Sequence, residues 1–95
     1  MKPYVRATTK QFRKDVRRLE RSGFDLSKLE HVIDLLVAGE ILPDIYRDHS
    51  LKGKLQHTRE CHIGPDWLLR YAKDDNVLVL LLISTGDHRR VLGRE

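Results

Sequence analysis

The sequence predicts an α+β fold: two N-terminal helices packed on one face of a small, mainly antiparallel sheet. Three observations carry that expectation. The first 40 residues hold two stretches with apolar side chains at helical spacing, each followed by a glycine, Gly23 and Gly39. Residues 58–72 hold two extended runs broken by Gly64-Pro65. Val77 to Ile83 then runs apolar without alternation, the pattern of a strand covered on both faces or central in its sheet. Helices that come first and strands that follow belong to the α+β class.

Lys2 to Ala7 is short and mixed, with Tyr4 and Val5 as strand formers, and is expected to make a first strand. Thr8 or Thr9 caps the first helix, and Thr8 with Gln11 has the spacing of a capping box. Phe12, Val16 and Leu19 fall on one side of that helix, and Lys10, Lys14, Arg17 and Arg21 form a basic stripe on the other. Up to Gly23 the chain has eight basic and two acidic side chains, so its positive charge is concentrated here. A solvated helix face is the ordinary explanation for such a stripe; a surface for RNA or an acidic protein is the functional one. Ser27 and Glu30 are spaced as a capping box for the second helix, whose apolar arc is Leu26, Leu29, Val32, Ile33, Leu36 and Val37. Leu35 points away from that arc, as if a partner covered it.

Ile41 to Lys54 has no clean period and reads as a loop that carries His49 toward the sheet. Lys52 and Lys54 bracket Gly53 and are candidates to meet phosphate, although a solvated turn accounts for them equally well. From Thr58 to Ile63 the side chains alternate, Arg59, Cys61 and Ile63 against Thr58, Glu60 and His62. Gly64-Pro65 ends the pairing and Trp67 to Ala72 resumes it. Asp74-Asp75-Asn76 is a turn signal, and the last strand delivers Ser84-Thr85-Gly86-Asp87-His88, then Arg89 and Arg90.

The 95 residues, 40% hydrophobic, are expected to form one domain spanning residues 1–95, with a modest core. A net charge of +4 favours a polyanionic or acidic partner. One cysteine gives no disulfide framework and suits a reducing, cytoplasmic setting. No signal peptide and no membrane-length apolar run is visible.

His49, His62, Asp66 and His88 all sit where the chain leaves regular structure. Singly, each is ordinary. Together, beside a surface rich in lysine and arginine, they fit general acid–base chemistry on RNA. Metal-free cleavage of RNA needs a base for the 2′-hydroxyl proton, a cation for the phosphorane charge and an acid for the departing 5′-oxygen. Imidazole suits either proton role, because its pKa lies near working pH. The competing use of the same side chains is a zinc site. Against it, Cys61 and His62 are strand neighbours facing opposite ways, and no closely spaced Cys or His pair of zinc type exists. Cys61 as a nucleophile would need a base beside it, yet alternation puts it on the core face with Ile63. His31 and His57 have no assigned role, and neither a metal nor a cofactor is expected.

The sequence resembles the YafQ-type bacterial toxins of the RelE/ParE superfamily, from type II toxin–antitoxin systems. The resemblance runs through Leu42-Pro43, Tyr46-Arg47-Asp48-His49, Leu51-Lys52-Gly53, Arg59-Glu60-Cys61-His62-Ile63 and Pro65-Asp66-Trp67-Leu68-Leu69, and resumes at Thr85-Gly86-Asp87-His88. It implies an endoribonuclease that enters the ribosomal decoding site and cuts mRNA there without metal, neutralised by a cognate antitoxin. His49, His62, Asp66 and His88 would then be the acid–base set, with His88 as proton donor. Trp67 would shape the site or stack on a base, and Arg59 and Arg90, with Lys52 and Lys54, would contact RNA. Two positions depart from the family. An arginine common before its last Thr-Gly is Ser84 here, and an aromatic near the C-terminus is matched by Leu92. Arg59, Arg70, Arg89 and Arg90 are the candidates to replace the missing cation. A non-catalytic binding protein of the same fold, such as a gyrase inhibitor, is the competing class, and it would have no use for the histidines.

Overall fold

The computed structural model describes residues 3–92, so Lys2, part of the expected first strand, lies outside the described residues. The elements are β1 (Val5–Thr8), α1 (Lys10–Arg21), α2 (Leu26–Val37), β2 (His49–Ser50), β3 (Arg59–Gly64), β4 (Trp67–Asp74), β5 (Val79–Gly86) and α3 (His88–Leu92). They form an α+β fold with one five-stranded sheet in the order β1-β5-β4-β3-β2. Neighbours from β5 to β2 are antiparallel, while β1 lies parallel to β5 with Val5 opposite Val79. A parallel partner requires a crossover, and the segment carrying α1 and α2 supplies the start of it.

Thr9 caps α1: its hydroxyl accepts from the Phe12 N–H (2.9 Å) and donates to the Ile83 carbonyl (2.6 Å), tying the helix start to β5. The expected Thr8–Gln11 box does not form, because Gln11 turns to Asp15 instead (2.8 Å). On α2 the expected Ser27 cap is replaced by Asp25, whose carboxylate accepts from both the N–H (3.1 Å) and the hydroxyl (2.6 Å) of Ser27. An ionised oxygen at a helix N-terminus is the stronger acceptor and also meets the positive end of the helix dipole. Glu30, freed from capping, pairs with Arg6 at 2.5 Å.

Phe12 and Leu19 from α1 join Leu29, Val32, Ile33 and Leu36 from α2 over Cys61, Ile63, Trp67, Leu69, Tyr71, Leu80 and Leu82 of the sheet. Leu35 is half-buried against the same core, so no partner is needed to cover it. The opposite sheet face is not simply wet. Leu68 and Val91 are buried there outside the main cluster, where α3 packs on β4 and β5.

The last strand starts and ends later than its apolar run. The Asp74 side chain accepts from the N–H groups of Asn76 (2.9 Å) and Val77 (3.3 Å), which prolongs the turn, and Leu78 takes φ +55°. Val77 is consequently exposed in the turn. At the other end Ser84, Thr85 and Gly86 continue the ladder opposite Arg70, Leu69 and Leu68. This extension brings His88 level with the β3–β4 turn.

Candidate active site

Three chain segments meet at one end of the sheet: the end of β3 with His62, the β3–β4 turn with Asp66, and the start of α3 with His88. The turn is the two residues Pro65-Asp66, with Gly64 paired to Trp67 and Asp66 at φ +50°. An aspartate tolerates this left-handed conformation better than most side chains. Its Oδ1 accepts twice from His88, from the backbone N–H (3.1 Å) and from Nδ1–H (2.5 Å). Both bonds hold the Asp66 carboxyl below its usual pKa, so it stays ionised and fixes the ring tautomer. Nε2 of His88 is thereby left for a substrate atom.

The His62 ring lies 5.9 Å from that of His88 and 6.5 Å from that of His49, measured between centroids. Burial lowers the His62 pKa; Glu60 opposes this, and Arg47, His88 and His49 add to the lowering. A neutral imidazole in this position is equipped to accept a proton.

His49 does not sit in a loop. It lies on β2, paired with Glu60 of β3. Its Nδ1–H donates to the Arg47 carbonyl (2.7 Å), and its Nε2 faces Oε1 of Glu60 at 3.0 Å. Each ring nitrogen of His49 thus has an oxygen partner within the protein. The Glu60 carboxyl is only 4% exposed and, among the described residues, its Oε2 has no partner. His49 therefore has no free ring nitrogen for a substrate, and its place beside His62 is to hold the Arg47 loop against β3.

Arg47 is the arginine on the wall of this cleft, at φ +51° before β2. Its loop is held by Asp48, which accepts from Nε (3.3 Å) and Nη2 (3.1 Å) of Arg59 and from the buried Tyr71 hydroxyl. Arg59, expected to contact RNA, is thus paired with a carboxylate of its own chain and stays partly exposed. Arg70 faces Ser84 across the ladder and gives its Nε–H to Thr58 (3.2 Å). Arg90 is exposed and lines a separate groove on the other side of Asp66, with Arg18 and Phe24. Lys52 and Lys54 are exposed around the Gly53–Leu55 turn and do not line the cleft.

Of the two roles expected for Trp67, shaping the site and stacking on a base, its position fits the first. The residue is 5% exposed, its Nε1–H donates to the Thr85 hydroxyl (3.0 Å), and Phe24 meets it edge-on at 5.0 Å. A buried indole shapes the site from beneath but has no free face for a base. Trp67→Phe is expected to cost about 1–3 kcal/mol of stability, through the lost hydrogen bond and the space left. Urea titration checks this; unchanged stability with lost RNA affinity would restore the stacking role. Cys61 is fully buried and its thiol is pushed up to about 12 by burial, which removes it as a nucleophile.

Beneath His88 lies a support that the sequence did not reveal. Asp15, on the inward face of α1 and 2% exposed, accepts from the Thr85 N–H (3.1 Å), Gln11 (2.8 Å) and Arg18 (2.9 Å). Arg18 in turn reaches the Thr85 carbonyl at 3.4 Å, so both backbone polar groups of Thr85, in two successive peptide units, are held by α1. Its guanidinium lies against Gly86 (φ +145°), where a Cβ would come within 2.8 Å. Among the described residues, no group of three or more His, Cys, Asp or Glu side chains is arranged to hold a metal ion.

Residues 4–93 match the family described as the bacterial toxin of type II toxin–antitoxin systems, YafQ. The mRNA interferase toxin YafQ of Escherichia coli is 34% identical over 84 residues, covering 87% of this chain and 89% of that protein. The crystal structure of the E. coli DinJ–YafQ complex contains a similar chain, with TM-score 0.86, 32% identity, and coverage of 95% of this chain and 99% of that one. A copper-bound mutant toxin from Helicobacter pylori is also similar, with TM-score 0.87, 40% identity, and coverage of 93% and 98%. The chain belongs to the YafQ family of bacterial toxins of type II toxin–antitoxin systems.

Proposed function

We propose that this toxin is an mRNA interferase that cuts its substrate on the ribosome by metal-free general acid–base catalysis, and that a cognate antitoxin neutralises it. The E. coli relative bears the name mRNA interferase, and its complex with DinJ supports the antitoxin partner. The observation that carries the mechanism is the pairing of two differently prepared imidazoles 5.9 Å apart: His62, held neutral, and His88, locked to Asp66 by two hydrogen bonds. Two imidazoles side by side, one part-buried and one oriented by a carboxylate, are what an acid–base pair requires.

In this reading His62 takes the proton of the 2′-hydroxyl and the 2′-oxygen attacks the adjacent phosphorus. The bond to the 5′-oxygen breaks, and His88, entering the step protonated on both nitrogens with Nδ1–H on Asp66, gives that oxygen its Nε2 proton and is left as the Nδ1–H tautomer. Arg47, whose carbonyl is held by His49, faces the charge gathered on the phosphorane oxygens, the term usually worth most in such sites. Arg47 fills the role left open at Ser84.

The test is cleavage mapping on programmed ribosomes. Cuts in ribosome-bound message and none in the same message free in solution support the reading; the reverse sinks it. The H. pylori relative was captured with copper, so the metal question is tested in the same assay. Activity is expected to survive EDTA treatment of the toxin before ribosomes are added in their usual magnesium. Loss of activity restored only by a transition metal would replace this mechanism.

The basic stripe of α1 serves the ribosome in this reading. Lys10, Lys14, Arg17 and Arg21 are all exposed, on the side of α1 away from the core. Phosphate contacts weaken with salt, with a log–log slope of roughly 0.7–0.9 per contact. Reversing Lys14 and Arg17 to Glu is expected to lower ribosome affinity at least tenfold and flatten its salt dependence, with antitoxin affinity little changed. Loss of antitoxin affinity alone, measured by the same titration, would reassign the stripe to neutralisation.

A further inference from the structure

The cleft is longer than a proton relay needs. Beyond His62 and His88 it runs along the first turns of α2, with Ser27, Lys28 and His31 on one wall and Ile45, Tyr46 and Arg47 on the other. Its volume of about 830 Å³ exceeds what one phosphate occupies and lies in the range of roughly 300–1,000 Å³ that holds a drug-sized ligand.

The chemistry of this arm is mixed in a specific way. Lys28 and Arg47 bring a cation to each wall, and the single carboxylate on the lining, Asp66, is already engaged by His88. Ile45 is 79% exposed, an apolar side chain on the cleft lining that also carries both cations. Ser27 and His31 are exposed polar groups beside it, although Ser27 already gives its hydroxyl hydrogen to Asp25. An apolar platform flanked by cations fits a nucleotide, whose base is flat and apolar on its face and whose phosphate is anionic. An acidic peptide would use the cations but leave no reason for the platform beside the reacting histidines.

We infer that the arm of the cleft formed by Lys28, His31 and Ile45 is a subsite for the nucleotide adjoining the scissile phosphate. Its base lies on Ile45 and the His31 ring, and its phosphate pairs with Lys28. This rests on the RNA-cutting reading and extends it: α2, whose other face builds the core, becomes the element that sets which message sites are cut. His31, which carries no signal in the sequence, owes its role to lying at the cleft wall.

The test uses the full chain on programmed ribosomes carrying a pool of messages, comparing wild type with Lys28→Ala, His31→Ala and Ile45→Ser. All three side chains are exposed, so the fold is expected to tolerate the changes. Lys28→Ala is expected to raise KM about tenfold with kcat near wild type. His31→Ala and Ile45→Ser are expected to redistribute the cut sites and lower kcat/KM at the preferred ones by roughly tenfold to a hundredfold, the effect of losing one stacked base. Unchanged sites and unchanged kcat/KM in all three overturn the subsite while leaving the catalytic reading intact. A wild-type protein that cuts no message overturns the catalytic reading first, and the subsite with it. Resonance shifts on adding a non-cleavable 2′-O-methyl trinucleotide give a second readout. Shifts at Lys28, His31 and Ile45 support the subsite, and shifts confined to His62 and His88 refute it.

Discussion

His88→Ala is expected to slow message cutting by about 10²- to 10⁴-fold, the usual contribution of a positioned acid or base. The side chain is half exposed and makes one side-chain hydrogen bond, so stability should stay within about 0.5 kcal/mol of wild type. The backbone bond from His88 to Asp66 survives the substitution, which keeps the start of α3 in place. Asp66→Asn should be milder, because the ring keeps a neighbour but loses the ionised acceptor that sets its tautomer. The pH profile carries the mark of the other imidazole. His62 must be neutral to act as base, and its pKa is lowered by burial, so activity is retained as pH falls past the ordinary imidazole value and is lost only on passing below the lowered His62 value. Single-turnover rates for the three proteins check the order; an unimpaired His88→Ala protein would remove His88 from the chemistry.

Asp15→Ala is expected to destabilise the fold by about 3–5 kcal/mol, the cost of leaving the partners of a buried charged group unmatched. That is a large share of the roughly 5–15 kcal/mol that holds such a domain folded. Three donors lose their acceptor at once: the Thr85 N–H, the Gln11 amide and the Arg18 guanidinium. The damage also falls on the site, since Thr85 anchors the strand end from which His88 follows three residues later. Urea unfolding measures the loss. A change under about 1 kcal/mol would mean that water or a rearranged Arg18 satisfies these groups, and that the clamp is not structural.

How much of this was legible beforehand differs by element. The two helices and the paired β3 and β4 followed from periodicity, because burial of one face dictates that spacing. The histidines and Asp66 stood out as chemistry at strand ends. What stayed hidden depended on pairing across the chain. Nothing local to Asp15 distinguishes it from an exposed helix aspartate; its acceptor role exists only because β5 ends beside α1. Glu60 was read on the His62 face, yet its burial comes from β2, whose two residues have no periodicity to detect. Arg47 was passed over for Arg59, and the choice between them turns on Asp48, which holds one arginine and leaves the other at the cleft. Trp67 invited a stacking role because it flanks the site in sequence. Its position opposite Gly64 in the ladder sends the indole to Thr85 and the core instead.

The central claim is that the 2′-hydroxyl of the message is the nucleophile, with His62 and His88 moving the protons. The chemical ends of the fragments report this directly. Message cut on programmed ribosomes by the wild-type protein should carry a 2′,3′-cyclic phosphate on the upstream fragment and a 5′-hydroxyl on the downstream one, and a message with a 2′-deoxy or 2′-O-methyl sugar at the cut site should stay whole. A 3′-hydroxyl with a 5′-phosphate, or cleavage of the 2′-blocked message at the same site, would show that water attacked and would contradict the mechanism.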